Sequence, residues 1–191
     1  MSEHDQTHEN LGNGNPGQER PIWYKPDGCI PYPVSFERKI FRTNTVALTV
    51  SHIAAFPNGF EITLTIAASP ERKDFLRTFG MEQAKGRSES AGPPASLRIG
   101  VAFPDGNSAT TADPYPPLDS DSDPPSSLII EDGSAGANRL LNQRYWIWPL
   151  PPDGRVRLLI EWPAENLGPS VVDIEAEEIV KAARQAVDPW R

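Results

Sequence analysis

Trp146-Ile-Trp-Pro-Leu-Pro-Pro-Asp-Gly-Arg-Val-Arg-Leu-Leu-Ile-Glu-Trp162 holds three tryptophans and three prolines around a Pro152-Asp153-Gly154 tripeptide. Pro presets φ for the second position of a type I turn, Asp suits the third, and Gly takes the left-handed position that follows. Read as a hairpin corner, the tripeptide pairs Pro151 with Arg155, so Trp148 stands opposite Leu158 and Trp146 opposite Ile160. Both indoles then fall on an apolar side and are expected in a core. The other side of the same hairpin shows Tyr145, Ile147, Arg157, Leu159 and Glu161.

The tripeptide recurs as Pro26-Asp27-Gly28, Pro57-Asn58-Gly59 and Pro104-Asp105-Gly106, each a candidate corner. Pairing Phe56 with Phe60 across the second puts Val46, Leu48, Val50, His52, Ala54 and Phe56 opposite Phe60, Ile62, Leu64 and Ile66. The reverse face carries Thr49, Ser51, Glu61, Thr63 and Thr65, with Ile53 as its one large apolar member. Such period-two alternation marks strands with one buried and one wet face. Residues 97–103, 127–131 and 171–174 read as further strands, and 33–42 as an early edge strand. Ser69-Pro70-Glu71 opens a short helix predicted over 70–79 and ended by Gly80; residues 80–95 and 107–126 read as loops. Beyond Trp162, Ile179, Ala182, Ala183, Ala186 and Val187 recur at helical spacing, which predicts a helix over about 175–187, with Trp190 tucked back onto the sheet. The expected architecture is an all-β antiparallel sandwich of about seven or eight strands with a C-terminal helix. It spans residues 30–190, behind a disordered acidic tail over residues 1–20 and with a long acidic loop at 104–127.

Charge follows the same division. Of the net −8, residues 1–20 hold −3 and residues 104–127 hold −5, so the remainder is neutral. Nucleic acid and anionic lipid need clustered Lys and Arg, so neither is an expected partner. Cys29 is the only cysteine, which excludes an internal disulfide and a Cys-based zinc site. The first twenty residues have neither a basic nor an apolar leader region, and no apolar run approaches the ~20 residues needed to span a bilayer. The expected location is the cytoplasm.

The segments Leu97-Arg-Ile-Gly-Val-Ala-Phe-Pro-Asp-Gly106, Tyr145-Trp-Ile-Trp-Pro-Leu-Pro-Pro-Asp-Gly154, Glu161-Trp-Pro163 and Ala182-Ala-Arg…Trp190 resemble those of an uncharacterised actinobacterial protein family. The resemblance covers roughly residues 43–190, and the Tyr-Trp-x-Trp-Pro-Leu-Pro-Pro stretch is its most specific part. In that family a Gly-rich loop often precedes this stretch; here Gly133-Ser-Ala-Gly136 is a weaker form. The resemblance implies no activity and no catalytic residue.

The chemistry-bearing residues are sparse. His4 and His8 lie in the tail without further ligands, and His52 falls on the apolar face of the first hairpin, where a structural histidine is expected. Cys29, beside Ile30 and Pro31, reads as a structural thiol. Asp119-Ser-Asp-Ser-Asp123 imitates the start of a calcium-binding loop but has Pro124 where Gly is required and Ile130 where a bidentate Glu is required. Glu131, Asp132 and Glu161 are the strand-associated acids that a carboxylate-dependent hydrolase would need, and Tyr145, Trp162, Trp23, Tyr24, Tyr32 and Tyr115 are the rings that a glycan or small-molecule platform would use. No nucleotide-binding, nucleophile-elbow or metal motif is present, so no cofactor, metal or catalytic residue is expected. The favoured expectation is a non-catalytic interaction domain for a protein partner, with contacts at Tyr145, Ile147, Arg157 and Leu159. It is motivated by apolar residues on a strand face that should be wet.

Overall fold

The alternation around Pro57-Asn58-Gly59 forms a hairpin, but Ile53 decides its parity. The computed structural model describes residues 20–36, 38–86, 96–114 and 122–190, for residues 82–86 the backbone only. Its strands are β1 (Tyr32–Val34), β2 (Arg38–Arg42), β3 (Val46–Ala55), β4 (Phe60–Ala68), β5 (Arg98–Ala102), β6 (Ser108–Thr110), β7 (Leu128–Ala137), β8 (Leu140–Trp148), β9 (Arg155–Trp162) and β10 (Leu167–Glu175). Helices α1 (Phe75–Gly86) and α2 (Ala176–Ala183) complete the fold. Across β3 and β4 the register is Ala55↔Phe60, not Phe56↔Phe60, and an irregularity between Val50 and His52 inserts one extra residue. That bulge lets Val50 and Ile53 both face inward, where both are fully buried. His52, expected on the apolar side, is turned to solvent, and Ala54 and Phe56 are turned to the outer face.

The strands make two antiparallel sheets. One runs β1-β3-β4-β8-β7, with β2 sharing the β3 edge with β1; the other runs β10-β9-β5-β6. The inward rows, including Leu48, Ile62, Leu64 and Ile147 from the first sheet and Ile99, Leu158, Ile160 and Trp162 from the second, form one core. The all-β sandwich with a C-terminal helix is therefore the observed class, and among the described residues it has ten strands where seven or eight were expected. The surplus comes from short strands: residues 33–42 divide into β1 and β2, and β6 lies within the stretch read as loop. Helix α2 closes the core with Ala176, Ile179, Ala182 and Ala183. Phe79 of α1 packs edge-on against Trp162, ring centroids 5.5 Å apart.

The largest correction concerns the opening stretch. Strands β8 and β9 are not paired: β8 lies between β4 and β7, and β9 between β5 and β10. Pro149, Pro151 and Pro152 have no N–H to give a ladder, so the chain after Trp148 leaves one sheet and enters the other. Pro104-Asp105-Gly106, with a single proline, does make the expected corner, joining β5 to β6 with Gly106 at φ 92°. Three smaller expectations also change. Ser69 and Pro70 open a turn, and α1 begins later, at Phe75, and runs through Gly80. Helix α2 ends at Ala183, after which Val187 bridges to Ile30. Trp190, expected on the sheet, is 85% exposed. The tail up to residue 19 and the heart of the acidic loop, residues 115–121, lie outside the described residues.

Candidate functional site

The four residues expected to share one face are split between two sheets. Tyr145 and Ile147 point into the core from β8, and the Tyr145 hydroxyl donates to Gln143 Oε1 at 2.8 Å. Arg157 and Leu159 point outward from β9. The cause lies in β8, where residues 145–148 are apolar on both faces and both faces are covered, so neither is the wet side.

Arg157 and Leu159 do belong to a surface, completed by strands the sequence did not pair with them. Register places Arg98 opposite Glu161, Gly100 opposite Leu159, Leu159 opposite Val171, Arg157 opposite Asp173 and Arg155 opposite Glu175. The charged pairs meet at 2.8 Å (Arg98–Glu161), 3.8 Å (Arg157–Asp173) and 2.9 Å (Arg155–Glu175). Opposed charges of this kind contribute roughly 0.2–1 kcal/mol each; the exposure of Arg157–Asp173 and Arg155–Glu175 keeps those two at the low end, while Arg98–Glu161 is half-buried. Between the charged pairs lie Leu159, 40% exposed, and Val171, 57% exposed. Gly100 on the other side of Leu159 adds no side chain, which leaves a shallow apolar dip bordered by ion pairs.

The outer face of the larger sheet carries a second cluster. Trp146 is fully buried there among Phe56, Leu128, Ala54 and Trp23, beneath a strap formed by residues 20–31. Its indole N–H donates to Trp23 O at 2.8 Å, and its ring meets Phe56 edge-on at 5.5 Å. Asn58 Nδ2 donates to Ile22 O and Tyr24 O, at 2.7 and 2.9 Å. Lys25 Nζ lies 2.6 Å from Glu61 Oε2, 2.7 Å from Asp132 Oδ2 and over the Phe56 ring. Burial pushes the Glu61 carboxyl above its ordinary value; Lys25 opposes the rise and Asp132 adds to it. Burial would lower the Lys25 ammonium, but hydrogen bonds to Asp132 and Glu61 outweigh it and hold the group above its usual value. Trp146 is thus a core residue, as expected, whereas Trp148 is half-buried at the margin of this cluster.

The other candidates separate. Asp132 is brought to Glu61, not to Glu161, which lies on the opposite sheet paired with Arg98. Lys25 bridges the Glu61 and Asp132 carboxylates, where a hydrolase would hold water or substrate. Glu131 is half-buried on β7, and Cys29 is half-buried with its thiol raised by burial and by Asp188. Of the aromatic rings, Tyr145, Trp162 and Trp23 are buried, Tyr24 is half-buried and Tyr32 is exposed; Tyr115 lies outside the described residues. Among the described residues no group of three His, Cys, Asp or Glu side chains could hold a metal ion, and no helix is long and apolar enough to cross a membrane. Family models, curated proteins and solved structures offer no match to this chain.

Proposed function

We propose that this chain is a non-catalytic interaction domain that binds a protein partner through the outward face of its four-stranded sheet. The observation that carries the reading is the opposed pair Leu159 and Val171, both exposed within a surface whose facing charges are matched across strands. An apolar centre bordered by charged groups is the usual anatomy of a specific interface. The paired Arg and acid side chains give such a contact direction, since unmatched partners leave charges facing like charges. The same reading places the domain in the cytoplasm, where a lone half-buried thiol such as Cys29 stays reduced.

The test is capture of partners from a lysate of the native host by the intact chain and by a Leu159→Ser/Val171→Ser variant. A stoichiometric protein retained by the first and lost by the second is the expected result. A protein held equally by both would move the contact surface elsewhere, and the absence of any retained protein would remove the reading.

A further inference from the structure

Among the described residues β10 is an edge strand, with β9 on one side only. The Ala176 N–H donates to Gly154 O at 3.0 Å, one step beyond the Glu175↔Arg155 pair. Hydrogen-bonded and non-hydrogen-bonded pairs alternate along an antiparallel ladder. Val172 and Ile174 therefore turn their backbone groups toward β9, while Val171, Asp173 and Glu175 turn theirs away from it. These last three residues line a groove of about 410 Å³, whose other walls include Ser35, Phe36 and Arg38. Pro169, which has no N–H, stands in the same strand, as edge strands tolerate.

Among the described residues these outward N–H and C=O groups have no strand partner, and a row of such groups beside a groove is complementary to another extended backbone. The side chains say which kind. On the outer face β10 carries Asp173 and Glu175, each met by an Arg from β9, and Glu178 of α2 reaches the same groove with no ion pair among the described residues. Among the described residues lining the groove the cations are Arg38 and Arg155, and Arg155 is already held by Glu175. Pairing with β10 of a second copy about Asp173 would set acid against acid at the centre, a destabilising arrangement.

We propose that this edge takes up an extended segment of the partner by strand addition, with basic side chains opposite Glu175 and Asp173 and an apolar one opposite Val171. The proposal rests on the interaction-domain reading above. Running antiparallel, as every other pair in this sheet does, the segment reads basic-x-basic-x-apolar from its N-terminus. Its basic residues extend the cross-strand rows that Arg155 and Arg157 begin.

The probe is a labelled Thr-Lys-Thr-Lys-Thr-Val-Thr peptide, compared with Thr-Glu-Thr-Glu-Thr-Val-Thr, in fluorescence anisotropy titrations of the full chain. The basic peptide is expected to bind at least about tenfold more tightly, and to slow hydrogen exchange at the amides of Val171, Asp173 and Glu175. Val171→Pro removes one outward N–H while leaving the β9 ladder whole, and should weaken binding about three- to tenfold. Asp173→Lys, at an exposed position, should erase most of the preference for the basic peptide without relying on the proline variant. Equal binding of the two peptides, no binding of either, or wild-type affinity in both variants would overturn strand addition. A partner captured through Leu159 that ignores Val171→Pro would overturn it while leaving the interaction-domain reading in place.

Discussion

Replacing Gly59 by alanine separates two explanations for a turn glycine. The Pro-Asn-Gly motif suggests a glycine needed for a left-handed backbone, yet Gly59 is not among the positive-φ residues. The obstacle is space: a Cβ there would lie 2.5 Å from Ile147 O and 2.6 Å from Trp146 Cη2. Ile147 O belongs to a strand hydrogen-bonded on both sides, and the Trp146 ring is fixed by its bond to Trp23 O and by Phe56, so neither can retreat. Overpacking of this kind costs typically 1–3 kcal/mol, and two immovable neighbours put Gly59→Ala near the top, at about 3 kcal/mol. With a urea m-value of about 1–3 kcal/mol/M, the midpoint of unfolding should fall by about 1–3 M at unchanged slope. Gly28, at φ 71° with only the Trp190 ring as near as 3.9 Å, is the control. Gly28→Ala should cost about 1 kcal/mol of backbone strain, and Gly28→Asn less, because Asn accepts that conformation. Gly59→Asn should be no better than Gly59→Ala. A Gly59→Ala loss within about 0.5 kcal/mol of wild type, or rescue by Asn, would refute the steric argument.

Trp146→Ala should cost about 4–5 kcal/mol, from the cavity and the freed Trp23 carbonyl, whereas half-buried Trp148→Ala should cost about 1–2 kcal/mol; equal losses in denaturant titrations would contradict the assignment of the two indoles. Because burial raises the Glu61 carboxyl, the folded chain keeps that proton to higher pH than the unfolded one, so its stabilising contribution is full below the ordinary pKa of about 4.3 and fades as pH rises through the folded value. Glu61→Gln removes this titration, and its stability relative to wild type should climb over that window; a flat difference would count against it. A double-mutant cycle on Arg155 and Glu175 should give a coupling of about 0.2–1 kcal/mol that shrinks with added salt, and a salt-independent coupling would be inconsistent with an exposed pair.

What local pattern can reveal is visible in β3 and β4. The alternation of Leu48 and Val50 with polar neighbours, and of Ile62, Leu64 and Ile66, identifies the strands and the buried face, and the misfit Ile53 marks the bulge that the simple register overlooked. The small apolar stripe of α2 is equally local. Which strand lies beside which is another matter. Pro104-Asp105-Gly106 and Pro152-Asp153-Gly154 share their letters, yet one turns within a sheet and the other ends a crossover, and the difference lies in the two further prolines ahead of the second. The unbroken apolar run of residues 145–148 is the signature of a strand covered on both faces, which alternation alone assigns to one. Of the candidate surface, Arg157 and Leu159 were legible as neighbours on one side of β9, but Val171 becomes their companion only through the register of β10. Lys25 meets Glu61 and Asp132 across 36 and 107 positions, a separation no local pattern encodes.

The bridge between Ile30 and Val187 carries two hydrogen bonds, of 2.8 and 3.1 Å, and joins places near the two ends of the described chain. A tension applied at the N-terminal end would load the strap's bonds to Asn58, Trp146, Glu61 and Asp132 first, whereas one applied at the C-terminal end would meet this clasp before it reached either sheet. With only two bonds in the clasp, the first yield from that end should come at low force and release the segment after α2 while the strap and the sandwich remain closed. Trp146 would stay covered until the strap's own bonds gave way, so a change in its fluorescence would report that second step and not the opening of the clasp.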